Sequence, residues 1–127
     1  MKLRIRGNSL RLRVSRTELL QIAEQGSAED SIRFAPGMEW RYGVVVKPGG
    51  DVAAQFAASS LRVVLPKARV EQWLDDREVA IEGQQPIGNG ETLRILVEKD
   101  YTCLAPRAGE DDSDLFVNPL QAKGASG

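Results

Sequence analysis

Apolar and basic residues alternate in two short segments at the start of the chain. Residues 2–6 and 10–14 each place an aliphatic side chain at every second position, which is the period of a β-strand with one buried face. Gly7 and Asn8 lie between the two segments and tolerate the positive φ of a tight turn. The pattern therefore predicts a β-hairpin whose second face is lined by arginine.

The segment that follows has a helical pattern. Ser15 is a candidate N-cap, and Glu18 stands three residues further on, which is the spacing of a capping box. Leucine, isoleucine and alanine then form an apolar stripe that stops at Gly26, a residue suited to ending a helix. We predict a helix over about residues 16–25.

The same order of elements returns in the second half of the chain. Ser60-Leu61-Arg62 repeats Ser9-Leu10-Arg11, and Pro66 opens a second predicted helix in which Trp73 is a core residue. The unit strand-strand-helix-strand-strand thus occurs twice, and the two halves are expected to pack about a pseudo-twofold axis. The other predicted strands cover residues 30–34, 39–47, 52–57, 61–65, 78–82 and 92–98.

These elements predict the α+β class. Eight strands can close into an antiparallel barrel or form two tightly packed sheets, with both helices on the outside. We predict a single domain over residues 1–123, because a chain of this size buries one core. Within it the repeat halves lie at about 1–50 and 51–100 and an acidic segment at 101–123, and residues 124–127 are predicted to be a disordered tail.

Composition limits the chemistry. The chain carries 17 basic and 18 acidic side chains, and a net charge of −1 argues against a generic nucleic-acid binder. The absence of histidine excludes a Ser-His-Asp triad and any histidine-ligated metal. One cysteine, no apolar leader and no long apolar run predict a soluble protein of a reducing, cytoplasmic compartment with no membrane partner.

The positions opposite the predicted apolar faces are rich in arginine. Guanidinium groups are permanently charged and bind phosphate or carboxylate through paired hydrogen bonds. If the helices cover the apolar faces, the arginines line a concave surface or channel. Otherwise they lie on a solvated outer face and pair with acidic neighbours such as Glu82 and Glu98. The predicted ligand-binding residues are Arg4, Arg6, Arg11, Arg13, Arg41, Arg62 and Arg94.

An acidic segment follows the last predicted strand. Its oxygen donors lack the glycine and the distal glutamate of a calcium-binding loop, and we predict neither a metal site nor a cofactor. The segment is either solvated or lies against the arginines as an internal counter-ion and lid. Its acidic residues are Glu110, Asp111, Asp112 and Asp114.

Two resemblances bear on these predictions. A duplicated eight-stranded barrel with a charged lumen resembles the triphosphate tunnel (CYTH-like) architecture, whose first strand carries metal-binding glutamates where this chain has Arg4 and Arg6. The second resemblance spans nearly the whole chain, is to a family of small bacterial proteins of unknown function, and implies no activity. Its motifs are residues 2–13 and 96–104, followed by Arg107, Glu110, Asp111, Asp114 and Asn118-Pro119.

The sequence predicts noncatalytic binding of a small phosphorylated or carboxylate ligand, or of an acidic protein partner, through the arginines. A second hypothesis is an enzyme that acts on a phosphorylated substrate inside a CYTH-like barrel, with the arginines as phosphate clamps and a carboxylate such as Glu98 as base. A third is a structural or protein-interaction module, which an exposed apolar patch or a stable dimer would support. The ligand and the oligomeric state are left open.

Overall fold

A computed structural model describes residues 1–75 and 77–100. Over these residues the chain folds into two copies of a strand-strand-helix-strand-strand unit, as the sequence pattern predicts. In chain order the elements are β1 (Lys2–Arg6), β2 (Ser9–Val14), α1 (Arg16–Gln25), β3 (Ser27–Ala35), β4 (Met38–Lys47), β5 (Ala53–Ala57), β6 (Ser60–Pro66), α2 (Lys67–Trp73), β7 (Ala80–Gly88) and β8 (Glu91–Lys99).

Helix α1 has the predicted bounds because both of its ends are specified locally. The Ser15 hydroxyl accepts the Glu18 amide N–H at 3.2 Å, and the Glu18 carboxylate accepts the Ser15 amide N–H at 2.8 Å. This reciprocal pair is a capping box and satisfies two of the amide groups that a helix start leaves open. Gly26 ends the helix with φ 83°, a left-handed conformation that glycine adopts at low cost.

The strands form two four-stranded sheets. Sheet 1 has the order β1-β2-β8-β7, and sheet 2 has the order β3-β4-β6-β5. The outer pairs are antiparallel hairpins, but the central pairs, β2 with β8 and β4 with β6, run parallel. The prediction of purely antiparallel pairing is therefore wrong at these two pairs, because each sheet joins a hairpin from one half to a hairpin from the other. Of the two predicted architectures the described residues form packed sheets, and no strand ladder between the sheets closes a barrel.

The two halves of the chain are equivalent in this topology. Exchanging the four strands of the first half for those of the second converts the order of one sheet into the order of the other. Two backbone hydrogen bonds between the halves are also equivalent. The Arg94 amide donates to the Asn8 carbonyl at 3.1 Å, and the Arg41 amide donates to the Ser59 carbonyl at 2.9 Å. Neither half contains a complete sheet, so each depends on the other to pair its strands.

The core lies between the sheets and includes side chains from both helices. Trp73 is 1% exposed, as predicted for a core residue, and its indole N–H donates to the Val79 carbonyl at 3.1 Å. No helix in the described part of the chain has the length and apolar character needed to cross a membrane. The buried cluster comprises Leu12, Val14, Ile22, Ala28, Val44, Val52, Val63, Leu65, Val70, Trp73, Ile81, Ile95 and Val97.

Strand β7 is longer than the sequence pattern predicts. It continues through Pro86 to Gly88, whereas the predicted strand ends at residue 82. Strand β7 lies at the edge of sheet 1, where a proline can stand without removing a hydrogen bond from the centre of the sheet. The hairpin to β8 turns at Asn89 and Gly90, which both have positive φ, the geometry that Asn-Gly turns favour.

Candidate functional site

The seven arginines singled out in the sequence lie on two different surfaces. Because Leu12 and Ile95 of sheet 1 and Val63 of sheet 2 face the core, alternate residues on each sheet face outward. Arg41 and Arg62 lie on the outer face of sheet 2. The outer face of sheet 1, called here the basic face, carries Lys2, Arg4, Arg6, Arg11, Arg13 and Arg94. The arginines therefore do not line a lumen between the sheets.

Strand register arranges the basic face in three rows across β1, β2, β8 and β7. Residues in one row are direct cross-strand neighbours, with their Cβ atoms about 5 Å apart in such pairs. The first row is Lys2, Arg13, Glu98 and Ala80. The second row is Arg4, Arg11, Leu96 and Glu82. The third row is Arg6, Ser9, Arg94 and Gln84.

Opposite charges meet in the first row. The Arg13 Nε donates to Glu98 Oε1 at 2.8 Å, and the Lys2 Nζ lies 3.0 Å from an Asp100 carboxylate oxygen. The hydrogen bond that Arg13 donates to Glu98 raises the pKa of Arg13, which burial alone would lower. Glu98 and the nearby Asp100 therefore neutralise the two cations of this row, and Glu98, the base of the predicted enzyme, is already engaged by arginine.

Like charges stand side by side in the second row, and two arginines of the second and third rows have no acidic partner in the described part of the chain. Arg4 and Arg11 are direct cross-strand neighbours, and like charges in that position destabilise a sheet. The Arg11 Nε lies 3.6 Å from Glu98, whose carboxylate Arg13 also binds. Within residues 1–75 and 77–100, neither Arg4 nor Arg94 forms an ion pair through its side chain.

A depression of about 410 Å³ lies over the second and third rows. Residues of β2, β8 and β7 line it, and two of them are arginines. Ser9 already donates its hydroxyl proton to the Arg6 carbonyl at 2.6 Å, so it offers an anion no proton. The Gln84 amide and the guanidinium groups remain as donors, and Glu82 is the acidic residue of the lining. The side chains of this depression are Ser9, Arg11, Glu82, Gln84, Arg94 and Leu96.

Sheet 2 carries an equivalent set of charges, but in a neutralised state. Its Arg62, Arg41 and Glu29 occupy the register positions of Arg11, Arg94 and Glu82 in sheet 1. Two carboxylates serve these arginines: Glu29 oxygens lie 3.8 Å from the Arg41 Nη1 and 3.8 Å from the Arg62 Nη2, and the Glu39 Oε1 lies 3.4 Å from the Arg41 Nε. The two outer faces thus have arginine and glutamate at equivalent positions. They differ because Glu29 contacts its two arginines, whereas Glu82 forms no ion pair with Arg11 or Arg94.

Sequence reasoning identified the arginines and named Glu82 as an acidic neighbour, but it missed Gln84. Gln84 lies two residues beyond the predicted end of β7 and is the cross-strand neighbour of Arg94, so a longer predicted β7 would have included it. The predicted lid residues Glu110, Asp111, Asp112 and Asp114 lie outside the described residues. Among residues 1–75 and 77–100, no group of three acidic or cysteine side chains is arranged to hold a metal ion.

Comparison with known proteins gives one match. The model of a family of unknown function, DUF7009, matches residues 1–120. No curated protein and no solved structure is similar enough to the chain to match it.

Proposed function

For this chain, which belongs to the DUF7009 family of unknown function, we propose a noncatalytic role as a binder of anions on the basic face. The ligand is a small molecule with a phosphate or carboxylate group, and it lies in the depression between Arg11 and Arg94. The observation that carries the proposal is that Arg4, which stands opposite Arg11, and Arg94 form no ion pair through their side chains within residues 1–75 and 77–100.

Charge and donor geometry support an anion as the ligand. Hydrogen bonds between guanidinium groups and oxyanions contribute about 1.5–3 kcal/mol each, and solvent exposure lowers this figure. Two such contacts are of the order needed for a dissociation constant near 1 mM, which corresponds to about 4.1 kcal/mol. The ligand also relieves the repulsion between neighbouring guanidinium groups, which an uncharged ligand cannot do.

The other functions predicted from the sequence have less support. An enzyme inside a barrel requires the arginines to face a lumen, whereas they lie on the outer faces of two sheets. An interaction module remains a prediction: Phe34, Met38 and Phe56 are each at least 60% exposed, and sedimentation equilibrium of the purified protein would test for a dimer. The lid residues predicted from the sequence, Glu110, Asp111, Asp112 and Asp114, lie outside the described residues, and a lid folded onto the basic face would compete with the ligand.

Titration of inorganic phosphate and pyrophosphate at low salt, followed by backbone amide chemical shifts, tests the proposal. We expect saturable shifts in β2 and β8 around Ser9 and Arg94. The variant Arg11→Gln with Arg94→Gln should lose at least about tenfold in affinity, equivalent to ~1.4 kcal/mol. A truncation before Ala108 should bind at least as tightly as the full chain, and more tightly if the acidic segment occupies the face.

A matched control variant distinguishes binding at a localised site from attraction by the overall charge of the protein. Arg41→Gln with Arg62→Gln removes an equal number of positive charges from sheet 2, where Glu29 and Glu39 pair with these arginines. This control should retain the affinity of the unmodified protein. Equal losses in the two double variants would contradict a localised site, because long-range charge alone would then explain the binding.

A further inference from the structure

We infer that the depression on the basic face recognises a ligand with two charges: an anionic group held by Arg11 and Arg94 and a cationic group, such as an ammonium, held by Glu82. The inference rests on the proposed anion binding and adds to it the class of ligand. It follows from a difference between the equivalent positions of the two sheets.

The residue between arginine and glutamate differs in the two sheets. In sheet 2 that residue is Gly43, which pairs with Arg62 on one side and with Glu29 on the other. A Cβ on Gly43 would lie 3.0 Å from the Glu29 Cγ, so the Glu29 side chain lies directly over the glycine. The missing side chain thus lets Glu29 reach across the strand to Arg62, with 3.8 Å between the charged atoms.

In sheet 1 the equivalent residue is Leu96. It pairs with Arg11 on one side and with Glu82 on the other, and its side chain takes the position over which the Glu29 side chain crosses Gly43 in sheet 2. Arg11 turns instead toward Glu98, at 3.6 Å. Glu82 forms no ion pair with any residue of 1–75 or 77–100. Leu96 therefore acts as a spacer that keeps the carboxylate apart from the guanidinium groups.

The separation of charges defines what the depression can accept. Glu82 and Arg11 stand two strands apart, which places their Cα atoms about 9.5 Å from each other. A plain anion is attracted by the guanidinium groups of Arg11 and Arg94 but is repelled by the carboxylate of Glu82. A molecule with an ammonium a few bonds from its phosphate or carboxylate satisfies both sides at once, and its methylene groups can lie on Leu96. The arrangement thus favours a zwitterionic ligand over a simple anion.

Pairs of probes that differ only by the ammonium test this inference. Ethyl phosphate is compared with phosphoethanolamine, and propionate with β-alanine, each by amide chemical-shift titration of the full chain at low salt. We expect the ammonium-bearing probe of each pair to bind at least threefold more tightly. In Glu82→Gln the order should reverse, because the variant loses the partner of the ammonium and also loses the repulsion of the plain anion.

Two controls keep the result interpretable. Glu29→Gln makes the same charge change on sheet 2 and should leave both affinities unaltered. Leu96→Ala removes the spacer, so Glu82 can reach Arg11, and both kinds of probe should bind more weakly. Glu82 is exposed on an edge strand, so its variant should fold, and the dispersion of the amide spectrum checks this.

The possible results distinguish the two proposals. If the plain anions bind but the ammonium gives no advantage, or if Glu82→Gln strengthens both probes equally, the inference about ligand class is overturned and anion binding stands. If neither ethyl phosphate nor propionate causes saturable shifts in β2 or β8, the proposed function itself fails. If the order of affinities of the two probes reverses in Glu82→Gln but not in Glu29→Gln, both the anion binding and the zwitterionic ligand class are supported.

Discussion

Reversing one charge on the basic face should stabilise the protein and weaken its ligand binding. Arg4 stands directly opposite Arg11, and Lys2 and Arg6 lie on the same face of the same strand. In Arg4→Glu the repulsion between residues 4 and 11 becomes an attraction. Two unit charges about 5 Å apart interact by about 0.8 kcal/mol in water. After partial screening, the change of sign should raise the free energy of unfolding by about 1 kcal/mol.

Urea unfolding followed by circular dichroism at two salt concentrations measures this gain. At about 0.01 M salt the screening length is about 30 Å and the gain should be fully present, whereas at about 1 M it is about 3 Å and the gain should largely disappear. The matched control is Arg62→Glu, which replaces a 3.8 Å contact with Glu29 by repulsion and should destabilise the protein at low salt. A stability loss in Arg4→Glu, or a gain that persists at high salt, would refute this account of the basic face.

Three further predictions concern the core, a close backbone contact and pH. Trp73→Phe should lower the free energy of unfolding by about 1–3 kcal/mol, because it removes buried ring volume and the hydrogen bond to Val79; urea unfolding with half-buried Trp40→Phe as control checks this. Gly43→Ala should destabilise by more than ~1 kcal/mol, since the new Cβ would overlap the Ala28 carbonyl oxygen, whereas Gly49→Ala meets no neighbour and should melt like the unmodified protein. Burial, aided by the charges of Asp30 and Glu18, raises the pKa of Tyr42 above 10.0; its stabilising effect is therefore complete below that pH and is lost as the pH rises through the folded-state pKa. Tyrosinate absorbance of Tyr101→Phe, which leaves Tyr42 as the single titrating tyrosine, should show ionisation later than in a free tyrosine.

Elements that depend on neighbouring residues were predictable from the sequence. The bounds of α1 are correct because Ser15, Glu18 and Gly26 specify both ends within one helical turn each. The first hairpin is correct because Gly7 permits the turn, with φ 56°, between two segments of period 2. The parallel pairing of β2 with β8 was not predictable in this way. It joins residues at opposite ends of the chain, and no local pattern records which strand becomes the neighbour.

The candidate site was predictable only in its residue types. Alternation with buried leucine and valine correctly places Arg11 and Arg62 away from the core. The alternation does not show that these two equivalent residues lie on the outer faces of different sheets, because that depends on which sheet each hairpin joins. The neighbour of Arg94 was missed for a different reason: Gln84 lies in the part of β7 beyond residue 82, which the pattern around Pro86 obscures.

The repeat provides an internal comparison that bears on function. Both outer faces hold two arginines and one glutamate at equivalent positions, so the architecture itself permits the glutamate to pair with both arginines, as Glu29 does in sheet 2. The fold thus does not require Glu82 of sheet 1 to stay apart from Arg11 and Arg94. Their separation results from the side chains of sheet 1 itself, where Leu96 replaces glycine and Arg4 adds a further positive charge beside Arg11. An arrangement that costs stability when a neutral one is available is expected where binding requires it, and the opposite signs predicted for Arg4→Glu and Arg62→Glu follow from this difference.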